Sequence, residues 1–231
     1  MLLDQTIAGR RCALWVPEGT GPFALSLCCC GSASELLPQL GALSPNRLFV
    51  SPEADWEIDF TPWPAPTLQG GRPFADGSVL GGAPAFLRWV EGELLPALAA
   101  RFALNPVQNS VLGYSLGGLF ALWAVCQSEA FSQCACLSGS LWYPGWVNFL
   151  KEHAPKPPQR VYLSLGKKEE KSGPAVMRAV GDATRQSAGL FAQSLGCENT
   201  VLEWNPGGHF APVLPRWEKA LGWLDFPQNN R

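Results

Sequence analysis

Two separate stretches of the chain carry residue types that can do chemistry together. The first contains Gly113-Tyr-Ser115-Leu-Gly117, a serine set between two glycines. The apolar run from Ser110 to Gly113 reads as a strand, and Leu116 to Gln127 reads as a helix. A serine on such a strand-to-helix turn is presented as a nucleophile, and the flanking positions stay small because side chains on so sharp a turn would collide. The helix that opens at Leu116 aims its first amides at the reacting centre, where negative charge develops. The pentapeptide alone is a weak signal, since a glycine-rich helix start packed on a strand also produces it. The strand-turn-helix setting is what points to chemistry.

A serine hydroxyl needs a base, and two histidines compete. His209 lies in Trp204-Asn-Pro-Gly-Gly-His209-Phe210, a glycine-rich loop between the last strand pattern and the last helix. That is where the chain order of serine, acid, histidine puts the base. His153 lies at a helix end in Lys151-Glu-His153-Ala-Pro155, the ordinary place for a solvated histidine. Seven carboxylates fall between Ser115 and His209: Glu129, Glu152, Glu169, Glu170, Asp182, Glu198 and Glu203. Glu169 sits just past the strand pattern Val161 to Leu165, the position from which a carboxylate orients an imidazole and stabilises its cation. Lys167-Lys-Glu-Glu-Lys171 also fits a solvated loop of mixed charge, which leaves a Ser–His dyad open. The oxyanion donors are expected to be the backbone amide of Leu116 and one from Cys30-Gly31-Ser32, at Ser32 by position, with Gly31 allowing close approach.

The elements that must carry these residues follow from the apolar pattern. Short β-rich runs at 12–16, 23–29, 48–51, 110–113, 134–138, 161–165 and 200–204 alternate with helical patterns at 85–102, 116–127, 175–195 and 213–224. Pro96 is expected to kink or restart the first of those helices. The alternation predicts crossover units, a mostly parallel central sheet and helices on both of its faces. The chain reads as one domain over 1–231 with an irregular Pro-, Gly- and Trp-rich insertion at about 52–82, a kind of segment that is usually functional.

Composition narrows the partners. The 231 residues are 47% hydrophobic and 16% charged, with a net charge of -2, so no polyanion partner such as nucleic acid is expected. The longest apolar run, Leu119 to Cys126, is far short of a membrane span of roughly 20 residues, and no secretory signal is visible. The 8 cysteines fall mostly inside strand patterns, where free thiols act as small hydrophobes, and the spacing supports neither disulfides nor a metal site. Reduced thiols imply the cytoplasm. No cofactor is expected, and oligomeric state is open.

The segments Pro62-Trp-Pro-Ala-Pro66, Gly81-Gly-Ala-Pro-Ala-Phe-Leu87, Gly113 to Leu122, Ser138-Gly-Ser-Leu-Trp142, Gly166-Lys-Lys-Glu-Glu170 and Gly208-His209 resemble the putative esterase family of the α/β-hydrolase superfamily. Within it they are similar to the enterochelin (siderophore) esterase-like branch. The resemblance implies an α/β-hydrolase fold and cleavage of a small-molecule carboxylic ester through an acyl-enzyme, with Ser115 as nucleophile and His209 as base. The family includes triad and dyad enzymes, so Glu169 stays open. Siderophore esterases act on anionic catecholate lactones, for which Arg72 is the available cation in the insertion, and a simpler acyl ester is the rival substrate. Trp63, Trp142, Tyr143 and Trp146, with Trp56, are candidate walls of an apolar acyl or aryl pocket, whereas Trp15, Trp89, Trp123, Trp204, Trp217 and Trp223 read as packing residues. Two other activities fit the same residues: acyl transfer on the same Ser–His site, and a non-catalytic aromatic-rich binding protein retaining the fold.

Overall fold

The computed structural model describes residues 1–65, 68–69, 72–73, 80–155, 159–173 and 175–226, and of 68–69, 72–73 and 176 the backbone only. The chain opens with a hairpin of β1 (Leu2–Ile7) and β2 (Arg10–Trp15), turned by Ala8 and Gly9 at φ 46° and 83°. Positive φ at both turn residues matches the twist of the flanking strands. There follow β3 (Ala24–Cys29), α1 (Ala33–Leu43), β4 (Arg47–Pro52), the short pair β5 (Leu68–Gln69) and β6 (Arg72–Pro73), α2 (Ala83–Trp89), α3 (Leu95–Ala99), β7 (Ser110–Tyr114) and α4 (Leu116–Gln127). The rest is β8 (Gln133–Leu137), α5 (Trp146–His153), β9 (Arg160–Gly166), α6 (Ala175–Arg178), α7 (Val180–Leu195), β10 (Thr200–Asn205) and α8 (Leu214–Asp225).

The main sheet has the strand order β1-β2-β4-β3-β7-β8-β9-β10. β1 and β4 each run antiparallel to β2, and all pairs from β4 to β10 are parallel. The central strands are buried on both faces, which explains why β3, β4 and β8 read as nearly continuous apolar runs. Their side chains alternate between two cores. Cys28, Phe49, Leu112, Ala135 and Tyr162 meet α1 and α8, while Leu27, Cys29, Val111, Cys134 and Leu163 meet the larger cluster that includes α4 and α7. Helix α4 is buried almost all round, because it lies between β7, β8 and the aromatic side chains of the insertion and α2.

The chain travels from β3 outward to β4 on one side and then returns to β7 on the other. The reversal leaves a crevice beyond the carboxyl ends of β3 and β7, the place where open parallel sheets bind ligands. The 52–82 segment is fastened at its start and its end. Asp59 pairs with Arg10 at 2.6 Å, Phe60 packs against Phe86 and Phe120, and Thr61 Oγ1 accepts from the Gly81 amide at 2.8 Å.

Pro96 restarts its helix as expected. It has no N–H and would clash with the carbonyl four residues back, and one wide turn over Val90–Leu94 absorbs the mismatch between α2 and α3. The pattern at 175–195 is two helices, α6 and α7, rather than one. Among the described residues no helix is long and apolar enough to cross a membrane.

Candidate active site

Ser115 occupies the turn between β7 and α4 at φ 57° and ψ -121°, a conformation that costs about 1–3 kcal/mol for a residue with a side chain. Backbone bonds on both sides hold it there. Its amide donates to Leu137 O at 3.1 Å, and its carbonyl accepts from the Ser140, Gly118 and Leu119 amides at 2.9, 3.0 and 3.1 Å. The small neighbours are obligatory. A Cβ on Gly113 would lie 1.9 Å from Gly117 O, and one on Gly117 would lie 2.1 Å from Cys29 O. The start of α4 therefore rests directly on the end of β3.

That contact aligns the proposed oxyanion groups. Cys29 of β3 pairs with Gly113 of β7, so Gly31 and Ser32 leave the sheet beside the turn that carries Ser115. Leu116 is the first residue of α4, and its amide has no acceptor within the helix. Ser32 caps α1 in the left-handed region at φ 50° and ψ 44°. A side chain on Gly31 would meet open space, and Gly31 borders a cavity of about 380 Å³ whose wall includes Cys30, Ala33, Pro52, Trp56 and Phe60.

His209 Nε2 lies 3.1 Å from Ser115 Oγ, and His209 Nδ1 lies 2.8 Å from Glu169 Oε2. The structure thus brings Ser115, His209 and Glu169 into one chain of contacts from three loops at the carboxyl edge of the sheet. His153 is elsewhere, stacked on Phe149 with Nδ1 2.9 Å from the Phe149 carbonyl. Glu169 is not a solvated loop carboxylate: its side chain is 5% exposed, while the His209 side chain is 31% exposed. Burial alone pushes the Glu169 carboxyl up. Hydrogen bonds from His209, from Ser138 Oγ at 2.7 Å and from the Gly166 amide at 2.8 Å, with the charge of His209, outweigh that and hold it below its usual value. A carboxylate kept ionised at this position accepts from one imidazole nitrogen and leaves the other free to take the serine proton.

Four residues that sequence reasoning missed complete the surroundings. Arg216 of α8 bonds Glu169 Oε1 at 2.9 Å and Gly208 O at 2.7 Å. Ser138 bonds both Glu169 and Arg216. Tyr114 donates to His209 O at 2.5 Å, and Ser140 Oγ lies 3.3 Å from Ser115 Oγ. Arg216 left a signal. It stands one turn before Ala220 on the face of α8 that also carries Trp217, Leu221 and Leu224, and a cation on an apolar stripe needs a buried partner.

The aromatic candidates divide. Tyr143 and Trp146 are 2% and 1% exposed, and their polar atoms are taken by the protein: Tyr143 Oη donates to Trp63 O at 2.5 Å and Trp146 Nε1 to Ser187 Oγ at 2.9 Å. Both residues also line, together with Trp142, a cavity shared with α7. Trp63 is half-buried, donates to Pro144 O at 2.9 Å and packs on Phe149. Trp142 is partly exposed at a cavity of about 290 Å³ shared with α7. The Arg72 side chain lies outside the described residues. Phe210, beside His209 and edge-on to its ring, is 97% exposed.

All eight cysteines are free. Burial pushes the Cys12 and Cys30 thiols up to about 11 and Cys136 up to about 12, so they are neutral packing groups. Among the described residues no cluster of three or more His, Cys, Asp or Glu side chains is arranged to hold a metal ion.

Residues 44–221 match the model of the family described as Putative esterase. In solved structures the chain is similar to an IroE-like serine hydrolase from Shewanella oneidensis, at 19% identity and a TM-score of 0.78 over 97% of this chain and 79% of that one. It is similar to the siderophore hydrolase EstA from Aspergillus nidulans, at 17% identity and a TM-score of 0.71 over 96% and 93%. It also resembles the enterobactin esterase FES from Shigella flexneri, at 20% identity and a TM-score of 0.66, covering 97% of this chain and 57% of that protein. At such identities the likeness establishes the shared α/β-hydrolase fold.

Proposed function

Because this chain belongs to the Putative esterase family and is a carboxylic ester hydrolase, we propose that it works by a serine mechanism with Ser115, His209 and Glu169 as its triad. The observation that carries the reading is the continuous contact from Ser115 Oγ to His209 at 3.1 Å and from His209 to Glu169 at 2.8 Å. His209 Nε2 takes the Ser115 proton as Oγ bonds to the ester carbonyl carbon. The backbone amides of Leu116 and of Ser32, with Gly31 giving access, receive the developing oxyanion. The imidazolium, stabilised by Glu169, then protonates the leaving alcohol as the ester C–O bond breaks. Water, deprotonated by His209, attacks the acyl-enzyme, and the acid leaves as Oγ regains its proton.

The substrate is a small aryl or acyl ester, of which a siderophore-type lactone is the specific case suggested by the relatives. Exposed Phe210 beside His209, partly exposed Trp142 and Trp63, and the solvent-facing Lys167 and Lys168 next to Glu169 support a substrate with apolar rings and negative charge. The eight free thiols favour a reducing compartment, the cytoplasm. No nucleic-acid partner is proposed, and the whole of 1–231 is read as one domain.

A series of p-nitrophenyl esters tests the mechanism. Wild type is expected to turn over at least one ester with saturation kinetics, and an acyl-enzyme is expected to appear by mass spectrometry after a brief reaction. Turnover without any acyl-enzyme, or no turnover of any member of the series, removes the proposed serine mechanism on these esters.

A further inference from the structure

Glu169 and His209 are delivered by different loops, one after β9 and the other after β10, and nothing in a serine–histidine contact by itself keeps those loops in register. One side chain from outside both loops touches each of them. Arg216 is 1% exposed, and its guanidinium reaches Glu169 Oε1 at 2.9 Å through Nη1 and the Gly208 carbonyl at 2.7 Å through Nη2. The same Nη1 donates to Ser138 Oγ at the end of β8 and to Tyr114 Oη at 3.1 Å. Tyr114, the residue before the nucleophile, in turn donates to the His209 carbonyl at 2.5 Å. The two oxygens of Glu169 are divided accordingly. Oε1 receives Arg216, Ser138 and the Gly166 amide, which leaves Oε2 aimed at His209 Nδ1.

We propose that Arg216 is the positioning residue of this site, a buried planar fork that locks the acid turn, the histidine loop and the strand before the nucleophile into one unit. The proposal rests on the triad reading above. Arginine suits the task because its donors lie in one rigid plane and serve two acceptors at once, whereas an ammonium acts as a single point. Its charge has a second effect. Sharing the carboxylate with a fixed cation reduces the stabilisation that Glu169 gives to the imidazolium. Among the described residues, Tyr114 from β7 and Cys136 from β8 also face Glu169, exposed Lys168 precedes it on its own turn, and neighbouring Glu170 pairs with Arg185 of α7 at 2.8 Å.

The test compares Arg216→Met and Arg216→Lys with wild type on one p-nitrophenyl ester, with folding checked by circular dichroism and Ser115→Ala as the control for the triad. For Arg216→Met, kcat is expected to fall about 10- to 100-fold with KM within about threefold, as misplaced catalytic groups require. The acid limb of its kcat/KM profile is expected to move to higher pH by about half a unit to one unit, the scale of one removed charge at this separation. Arg216→Lys keeps the charge without the fork. Its acid limb is expected at the wild-type position while kcat remains reduced. If Arg216→Met does not fold, the Lys variant decides alone, and wild-type kcat in it overturns the proposal. A folded Arg216→Met with unchanged kcat overturns it too, as does a fall in kcat with an unmoved acid limb, which is what a packing role alone would give. Retained turnover in Ser115→Ala sinks the triad instead, a distinguishable result.

Discussion

Replacing Glu169 by Gln changes one oxygen for an amide group in a site where both carboxylate oxygens are hydrogen-bonded. Oε1 accepts from Ser138, Gly166 and Arg216 at 2.7, 2.8 and 2.9 Å, so a glutamine in this place keeps its carbonyl oxygen on those donors. Its NH2 group must then face His209 Nδ1, where the carboxylate oxygen lies at 2.8 Å. A donor there makes Nδ1 the acceptor and puts the ring proton on Nε2, the nitrogen 3.1 Å from Ser115 Oγ. A protonated Nε2 cannot take the serine proton. The same wrong tautomer costs about 10⁴-fold in serine proteases, and the loss expected here is about 10³- to 10⁴-fold in kcat, roughly 4–5.5 kcal/mol. Glu169→Ala removes the acceptor without enforcing the wrong tautomer, so it is expected to lose less, on the order of 10²-fold. The assay is steady-state p-nitrophenyl ester hydrolysis, normalised to folded protein, because either change leaves the buried Arg216 without its carboxylate and destabilises the chain by about 3–5 kcal/mol. Glutamine worse than alanine supports an orienting acid. A Gln variant within threefold of wild type would refute the reasoning and leave Ser115 and His209 as a dyad.

Gly117→Ala would set a Cβ 2.1 Å from Cys29 O, and parting β3 from α4 is expected to cut kcat by about 10- to 100-fold by displacing the oxyanion donors; wild-type kcat would show that β3 has no share in the site. In a thiol-reagent titration, exposed Cys197 is expected to react quickly in the native protein and all eight cysteines after denaturation, since five of the others are buried and desolvation keeps half-buried Cys30 and Cys126 as neutral thiols; several fast native thiols would contradict that. Glu169, held in the folded state below its ordinary 4.5, contributes stability that is full above that value and lost as pH falls below it through the folded value. Thermal unfolding between about pH 6 and pH 3 should therefore show a steeper acid loss for wild type than for Glu169→Gln, and parallel curves would mean that the carboxylate is not stabilised by folding.

How much of this was legible in the sequence depended on whether a residue's role is set locally. The elbow is local: strand, small residue, serine, small residue and helix lie within one run, and the structure reproduces that run. The nearness of His209 to Ser115 was legible because only two histidines compete and chain order separates them. Glu169 was half legible. Its place after β9 could be read, but its neighbours Lys167, Lys168, Glu170 and Lys171 look like a solvated turn, and only the fold shows it turned inward. Arg216, Ser138 and Tyr114 act through partners 47, 31 and 95 residues away in the chain, and no local pattern encodes such pairings. The deep burial of Tyr143 and Trp146 was not legible for a related reason: the segment follows β8 at the carboxyl edge, but Trp146 donates to Ser187 of α7, 41 residues away in the chain. The edge strand β1 was missed because only one of its six residues is buried and its pairing comes from a tight hairpin rather than an apolar run.

The central claim is that Ser115 Oγ is the atom acylated during turnover. Labelling with a fluorophosphonate, followed by peptide mass spectrometry and parallel ester hydrolysis, tests it most directly. The account predicts one adduct per chain, on Ser115, with activity lost in proportion to labelling, and neither label nor turnover in Ser115→Ala. An adduct on another residue, or a Ser115→Ala enzyme that still hydrolyses the ester at the wild-type rate, would contradict it.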